Sequence, residues 1–412
     1  MPEFLNLIPP SKALALFMDS WSGPSGIKTE HVNTEDALGR VLAEDITAPH
    51  PLPPFSRSTV DGFAVRAADT HGASPSLPTY LKHIGEVRMG TSTDLEVKSG
   101  HTVTVHTGGM IPSGADAVIM LEDTERMDTD EIEILKSVAV GENILAKGED
   151  VKQDETVLQA GSQLRAQEIG GLMALGYTKI KVVVRPRVGI LSSGDEVVTP
   201  SQIPDPGQVR DVNSYTLAAL VERAGGQPVR HGIVADDRSA LETAAERSFH
   251  EDDIVVITAG SSVSARDITV DILAELGEPG ILVHGIAIKP GKPTILGIAA
   301  QKPLIGLPGN PVSALVVGGL IIPPILRRSL GMPSHQWHPQ LPARLTVNIA
   351  SQAGREDYQP VRLIETNEGL LAEPVYGRSN LIFTLVRADG LVRIPAQANG
   401  LPAGEQVLVR LF

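Results

Sequence analysis

The sequence predicts an α/β domain with a doubly wound, mostly parallel sheet, accompanied by β-rich domains. Between residues 180 and 331, apolar strand-like runs alternate with helix-like runs of ~10–15 residues, the pattern of a parallel sheet covered on both faces. On either side, in 49–150 and 332–412, short β-rich runs are punctuated by Gly and Pro and show no helical period. A chain of 412 residues is also long for one core. With 3% aromatics, its cores must be filled mainly by Val, Ile, Leu and Ala.

Taken in order, residues 5–21 read as an amphipathic helix opened by Pro9-Pro10-Ser11, since proline suits a first helical turn. Residues 34–42 read as a second helix with Thr34 as N-cap. Strands follow at 102–106, 117–120 and 132–137, the first two joined as strand–turn–strand. Residues 158–176 return to helix. Residues 180–192 read as one buried strand, broken only by Arg185-Pro186-Arg187. Next come a helix over 213–224, capped by Asn213 and closed by Gly225-Gly226, a strand over 228–235, a helix over 237–250 and a strand over 253–259. A helix at 267–276, strands at 281–288, 294–299 and 304–306, and a long apolar helix at 311–330 complete this region. Its strands are apolar on both faces, as a doubly covered sheet requires. Beyond Gly331, five β runs predict a small barrel or sandwich.

The formal net charge of -14 disfavours a general nucleic-acid binder, which needs a basic face. With Cys 0 there is no disulfide framework, thiolate nucleophile or cysteine-held metal. No basic-then-apolar leader is read at the start, and the apolar stretch 314–326 is too short to span a bilayer. The expectation is a soluble, cytoplasmic protein without a membrane partner.

Ligands of open α/β sheets bind beyond the carboxyl ends of the strands. Five predicted strand ends carry polar or Gly-rich loops: Ser192 to Glu196, Asp236-Asp237, Ala259 to Asp267, Lys289 to Pro293 and Leu307 to Ser313. Gly260 to Ser264 offers free backbone N–H groups and hydroxyls for a phosphate, although a plain strand-to-helix turn looks the same. Lys289 and Lys292, held by a stiff Pro-Gly turn, suit a small dianion; the plainer alternative is an exposed charged turn. Glu196, Asp236, Asp237 and Asp267 supply hard oxygens suited to Mg2+ bridging phosphates. For Asp237 and Asp267 the plainer alternative is helix N-capping; of the adjacent pair, Asp237 suits the cap and Asp236 the ligand. Their convergence on one sheet edge points to metal-assisted phosphoryl chemistry.

Six segments then carry a resemblance: Ser58 to Ala64, Thr107 to Val118, Gly148 to Val151, Ser193 to Glu196, Lys289 to Pro293 and Gly306 to Ser313. In this order they resemble the molybdopterin molybdenumtransferases, the MoeA and gephyrin E-domain family. The resemblance implies that 180–331 is a molybdopterin-binding α/β domain on which the helix in 1–26 packs. It implies a linking domain from 27–48 and 151–179, a β-rich insert over 49–150 and a C-terminal β domain over 332–412. It also implies a homodimer in which the insert of one subunit closes the active site of the other, giving Asp61 and Thr107 catalytic roles. The implied substrates are molybdate and adenylylated molybdopterin, and the products are molybdenum cofactor and AMP. The molybdopterin adenylyltransferase, which makes the adenylylated pterin, is an implied partner.

Residue by residue, the resemblance places Glu196, Asp236 and Asp267 at the metal and catalytic site. It places Gly260, Ser262, Lys289, Lys292, Pro308, Pro311 and Ser313 at substrate and molybdate, with Arg355 and Ser379 near the oxyanion. Ala259 and Ser264 replace family glycines, and Gly285 stands where some relatives have lysine. Two rival readings are an adenylyltransferase-like enzyme on the same fold, which the flanking domains oppose, and a non-enzymatic dimeric scaffold of the gephyrin type.

Overall fold

A computed structural model describes residues 7–127, 129–259, 263–333 and 339–412, with backbone alone for 263–267. The central sheet has six strands, in the order Gln227–Val234, Arg187–Ser193, Ile254–Ala259, Lys302–Pro308, Ile295–Ala299 and Pro279–His284. The first four run parallel; Ile295–Ala299 is antiparallel to both its neighbours, so the sheet is mostly parallel. The helices around it are α1 (Pro10–Ser20), α3 (Asn213–Arg223), α4 (Arg238–Glu251), α5 (Val263–Glu275) and α6 (Pro311–Ser329); α2 (Ala166–Ala174) lies elsewhere.

Period-two alternation in the strands divides two cores. Val188, Ile190, Ile254, Val256 and Ile305 face α1, α3 and α6, where Phe17, Trp21, Leu217, Val221 and Ile325 fill the space. Leu191, Val255, Ile257 and Leu304 face the opposite way, against Leu241 and Ala245 of α4 and Ile272 and Leu273 of α5. Helix α6 is long and apolar enough to cross a bilayer by length and composition, but its Val312, Val316, Val317, Ile321, Ile322 and Ile325 pack in this core. Arg328 ties α1 to α6 by donating to the Met18 and Trp21 carbonyls.

The predicted strand over 180–192 is two strands. Lys179–Val183 pairs antiparallel with Thr29–Asn33, whereas Arg187–Ser193 enters the central sheet. Pro186 cannot donate to a ladder, and it biases the residue before it to extended backbone, so the chain changes sheets there. Around Lys179–Val183, α2 and Ile46–Thr47 paired with Thr156–Leu158 enclose a separate small core of Leu42, Ile46, Leu164, Leu172, Ile180 and Val182. The helix expected at 34–42 is only a 3-10 turn, Thr34–Asp36. Gly39 turns the chain with φ 74°, and Val41 and Leu42 bridge to Gln163 and Val182 instead. The helix expected at 158–176 shortens to α2, because Thr156–Leu158 is extended.

A six-stranded sheet lies in the insert, ordered Ala117–Met120, Gly62–Val65, His101–Val105, Thr79–Glu86, Glu131–Ile134 and Thr124–Arg126. The expected strand–turn–strand at 102–120 does not pair with itself. Gly62–Val65 inserts between its two arms, and Gly62 makes this possible: a Cβ there would stand 1.8 Å from the Ile119 carbonyl oxygen. The C-terminal strands Glu356–Thr366, Gly369–Pro374, Gln340–Leu345, Gln406–Leu411 and Gly390–Ile394 close into a five-stranded barrel, since the last pairs back with the first. A barrel leaves no unpaired edge. The short strand Ile288–Lys289 joins it beside Glu356–Asp357, so the strand expected at 281–288 ends at His284 and the chain crosses to the barrel.

Candidate functional site

The carboxyl edge of the central sheet opens on a cavity of about 460 Å3. Strand ends, the amino ends of α3 and α6 and a loop of the C-terminal domain meet there; lining residues include Ser193, Glu196, Asp211, Asn213, Pro311 and Asn380. Adjacent parallel strands bring the carboxylates together. Ser193 is in register with Val234, so the turns that follow these residues touch. The Ser193 hydroxyl donates to Asp236 Oδ1 at 2.5 Å, and the Asp236 N–H donates to Asp195 Oδ1 at 3.0 Å. Glu196 lines the cavity beside them. Asp237 takes the capping role: its carboxylate accepts from the Ala240 N–H at the start of α4.

Asp211 and Asn213 carry most of what sequence reading missed. Asp211, 7% exposed, accepts from the Ser192 hydroxyl and from the N–H and hydroxyl of Ser214. Asp211 therefore caps α3, and Asn213, expected in that role, is released from it. The Asn213 amide donates to the Gly309 carbonyl at 2.7 Å, bridging α3 to the loop before α6. Its Oδ1 is buried and accepts no hydrogen bond from the described residues. A buried acceptor without a donor costs stability, and a ligand N–H or O–H in the cavity would recover it. The sequence carries a signal for this pair: Asp-Val-Asn-Ser opens a helix with two competing capping side chains, and only one can cap.

Carboxylates dominate the edge: Asp195, Glu196, Asp211 and Asp236. Its arginine, Arg210, spends its Nε on the Pro200 and Gln202 carbonyls. A phosphate approaching Glu196 and Asp236 would be repelled unless a divalent cation stood between them. No cluster of three metal-ligating side chains exists among the described residues. This donor set suits Mg2+, which keeps waters and leans on substrate phosphates, and would not form an all-protein cage. Gly260 and Ser262 lie outside the described residues, as does the side chain of Asp267. Pro308 ends its strand at this edge, and Ser313 is buried in the first turn of α6. Ser379 contributes its carbonyl, which accepts from the Val312 N–H.

The two lysines separate. Lys289 Nζ lies 2.9 Å from Oδ2 of the buried Asp357, which also accepts from the Ser351 hydroxyl. Lys292 lines a second hollow of about 180 Å3, and its cationic companion there is Arg355, not Lys289. Gly291 shapes the turn: its φ is 115°, and a Cβ there would meet the Val317 side chain at 2.1 Å. Asp61 and Thr107 lie together in the insert, where the Thr107 N–H and hydroxyl both donate to Asp61 Oδ1, at 2.7 and 3.1 Å.

Fold and site define a class: multidomain proteins in which a doubly wound domain presents its ligand edge beside a closed β barrel, with a β-rich insert on the same chain. Family descriptions match nearly all of it: MoeA N-terminal region (domain I and II) over residues 8–176, probable molybdopterin binding domain over 189–328, and MoeA C-terminal region (domain IV) over 342–412. The chain belongs to the MoeA family. It is 36% identical over 396 residues to a putative molybdopterin biosynthesis protein of Methanocaldococcus jannaschii, covering 93% of this chain and 92% of that one. It is 32% identical over 391 residues to the molybdopterin molybdenumtransferase of Haemophilus influenzae, covering 94% and 95%. The crystal structure of a molybdopterin biosynthesis MoeA protein from Pyrococcus horikoshii superposes with TM-score 0.85 at 35% identity, over 99% of this chain and 100% of that one.

Proposed function

We propose that this protein is a molybdopterin molybdenumtransferase, inserting molybdenum from molybdate into adenylylated molybdopterin with release of AMP. One observation carries the reading: a cavity at the carboxyl edge of the doubly wound sheet, lined by Glu196 and Asp211 with Asp195 and Asp236 hydrogen-bonded to the same strand-end turns, in a chain alike over 94% of its length to a relative bearing that name. The adenylylated pterin occupies the edge cavity, with Asn213 Oδ1 accepting from it. Glu196 and Asp236, joined by Asp267, would hold Mg2+, which neutralises the pyrophosphate and polarises the bond that breaks. Ser193 fixes the Asp236 carboxylate through its 2.5 Å hydrogen bond. Lys292 and Arg355 hold molybdate, a compact dianion suited to two converging cations. As the chain holds no cysteine, the sulfur ligands of molybdenum come from the pterin. The reaction that supplies the substrate is the adenylylation of molybdopterin, so the adenylyltransferase is the natural partner.

In this proposal the protein acts as a homodimer, with Asp61 and Thr107 of one subunit closing the edge cavity of the other. Mixing subunits tests this. Glu196→Gln and Asp61→Asn homodimers are expected to lose AMP release while keeping their fold. Mixed dimers should regain up to about half the sites, because one site per dimer keeps both residues. No recovery on mixing, with dimers verified by light scattering, would refute the shared site.

One observation favours a scaffold as second reading: a largely apolar hollow of about 410 Å3 between α3, α6 and the barrel, with Val386 and Phe412 among its lining and exposed. Retained AMP release in variants filling this hollow would leave the enzyme reading intact.

A further inference from the structure

His106 lies between two carboxylates in the insert. Its Nε2 is 2.7 Å from Glu86 Oε1, and its Nδ1 is 3.9 Å from Asp61 Oδ1. The ring is 40% exposed, and both nitrogens face acceptors. A neutral imidazole can hydrogen-bond Glu86 alone; the doubly protonated ring keeps that bond and adds a charge contact to Asp61. Thr107 donates twice to the same Asp61 Oδ1. Among the described residues, both hydrogen bonds to the Asp61 carboxylate and the His106 contact therefore fall on Oδ1, and Oδ2 accepts from none of them. The result is a carboxylate fixed through one oxygen and presented through the other.

The remaining groups around this cluster are Arg88 and His83, whose charges act on Glu86. His83 Nε2 is itself 2.8 Å from the Thr104 hydroxyl. Neither residue approaches Asp61 as His106 does. Nothing in the fold requires the arrangement. Glu86, His106 and Asp61 are all substantially exposed, and the cores of the insert are formed by apolar side chains on either face of its sheet.

We propose that His106 is a positioning residue for Asp61: anchored by Glu86, its imidazolium form sets a positive charge beside Oδ1 and leaves Oδ2 free for the substrate in the partner's cavity. This rests on the reading above that Asp61 takes part in the reaction. The Asp61 carboxyl is held below the usual carboxylate range, first by the Thr107 N–H, then by the Thr107 hydroxyl, with the His106 charge acting in the same direction. Glu86 is lowered too, chiefly by its hydrogen bond to His106.

An Asp61 that must be ionised gives kcat an acid limb. Removing the neighbouring cation makes ionisation harder, so the limb moves to higher pH. The experiment measures AMP release from adenylylated molybdopterin with saturating molybdate across pH, using the full-length protein and its His106→Gln, His106→Lys, Glu86→Gln and Asp61→Asn variants. His106→Gln should lower kcat roughly two- to five-fold on the acid side, the span of an exposed ion pair, and leave the neutral plateau and the KM for molybdate unchanged. Glu86→Gln should move the limb the same way by less, and His106→Lys should restore it. A wild-type acid limb in His106→Gln overturns the proposal. So does a loss that is uniform across pH and not rescued by lysine, which would assign His106 a purely structural role. Wild-type kcat in Asp61→Asn would instead overturn the participation of Asp61, the separate reading beneath it.

Discussion

At the scale of single residues, the site separates into side chains that obey their sequence position and side chains displaced from it. Glu196 and Asp236 were legible because they follow strand ends, and the sheet geometry alone sends such residues to the ligand edge. Asn213 was not. An asparagine at a helix start is read as a cap, and the capping is done by Asp211. What remains for Asn213 is one donor bond to Gly309 and one buried acceptor that no described residue satisfies. The two roles can be measured separately. Asn213→Ala removes both, leaving the Gly309 carbonyl without its donor, and is expected to cost about 1–3 kcal/mol in thermal unfolding. Asn213→Asp keeps an acceptor in the cavity lining but adds charge; it should weaken AMP further than alanine does, because a carboxylate there repels the phosphate. Isothermal titration of AMP against both variants checks the order, and equal weakening would place Asn213 in structure alone.

At the scale of elements, sequence pattern succeeded where one period held for a whole run. The alternating strands and amphipathic helices of the central sheet are of this kind, and so is the barrel, whose inward Ala343, Leu345, Val392, Ile394, Val407 and Val409 repeat every second residue. Pattern failed where a single residue redirects the chain. Gly39, with its positive φ, turns the chain just past a single 3-10 turn that Asn33, not Thr34, precedes as cap, and Pro186 divides one apolar run between two sheets. Helix α2 shows how small the deciding interactions are. Glu168 folds back on the helix start: its carboxylate accepts from the Arg165 N–H at 2.8 Å and from the guanidinium at 2.6 Å. The Arg165 guanidinium is the main cause that lowers the Glu168 carboxyl from 4.5 to about 2. A depressed folded value means that the contribution is complete above about pH 4.5 and fades as pH falls through about 2. Glutamine keeps the acceptor for the Arg165 N–H and loses only the ion pair, so Glu168→Gln should be less stable than the wild type near neutrality by about 0.2–1 kcal/mol. That gap should close as pH is lowered across this window. Urea unfolding at several pH values tests it, and a gap independent of pH would remove the carboxylate charge from the account.

At the scale of the whole molecule, the anion hollow and the edge cavity are built from different parts, and the chain joins them by passing from sheet to barrel. After His284 the backbone leaves the central sheet and returns as Ile288–Lys289 beside Glu356–Asp357. This crossover places Lys292 next to Arg355, two residues more than sixty positions apart, at the junction of two domains. It also explains why the two lysines, equivalent in sequence, are unequal in the fold. Lys289 is matched by the buried Asp357, whereas the charged neighbour of Lys292 among the described residues of its hollow is another cation, Arg355. Lys289→Ala should strand that carboxylate and destabilise the junction by about 1–3 kcal/mol, with a modest effect on molybdate. Lys292→Ala and Arg355→Ala should each leave unfolding nearly unchanged, since two like charges repel, yet weaken molybdate several-fold. Neither should weaken AMP, which binds at the other cavity. Titrating molybdate and AMP separately against the three variants, with thermal unfolding alongside, tests the division. If Lys289→Ala weakened molybdate most and left stability intact, Lys289 would belong to the anion and its pairing with Asp357 would be incidental. If all three weakened both ligands alike, the basic groups would supply only a general field, and the two cavities would be one site in electrostatic terms.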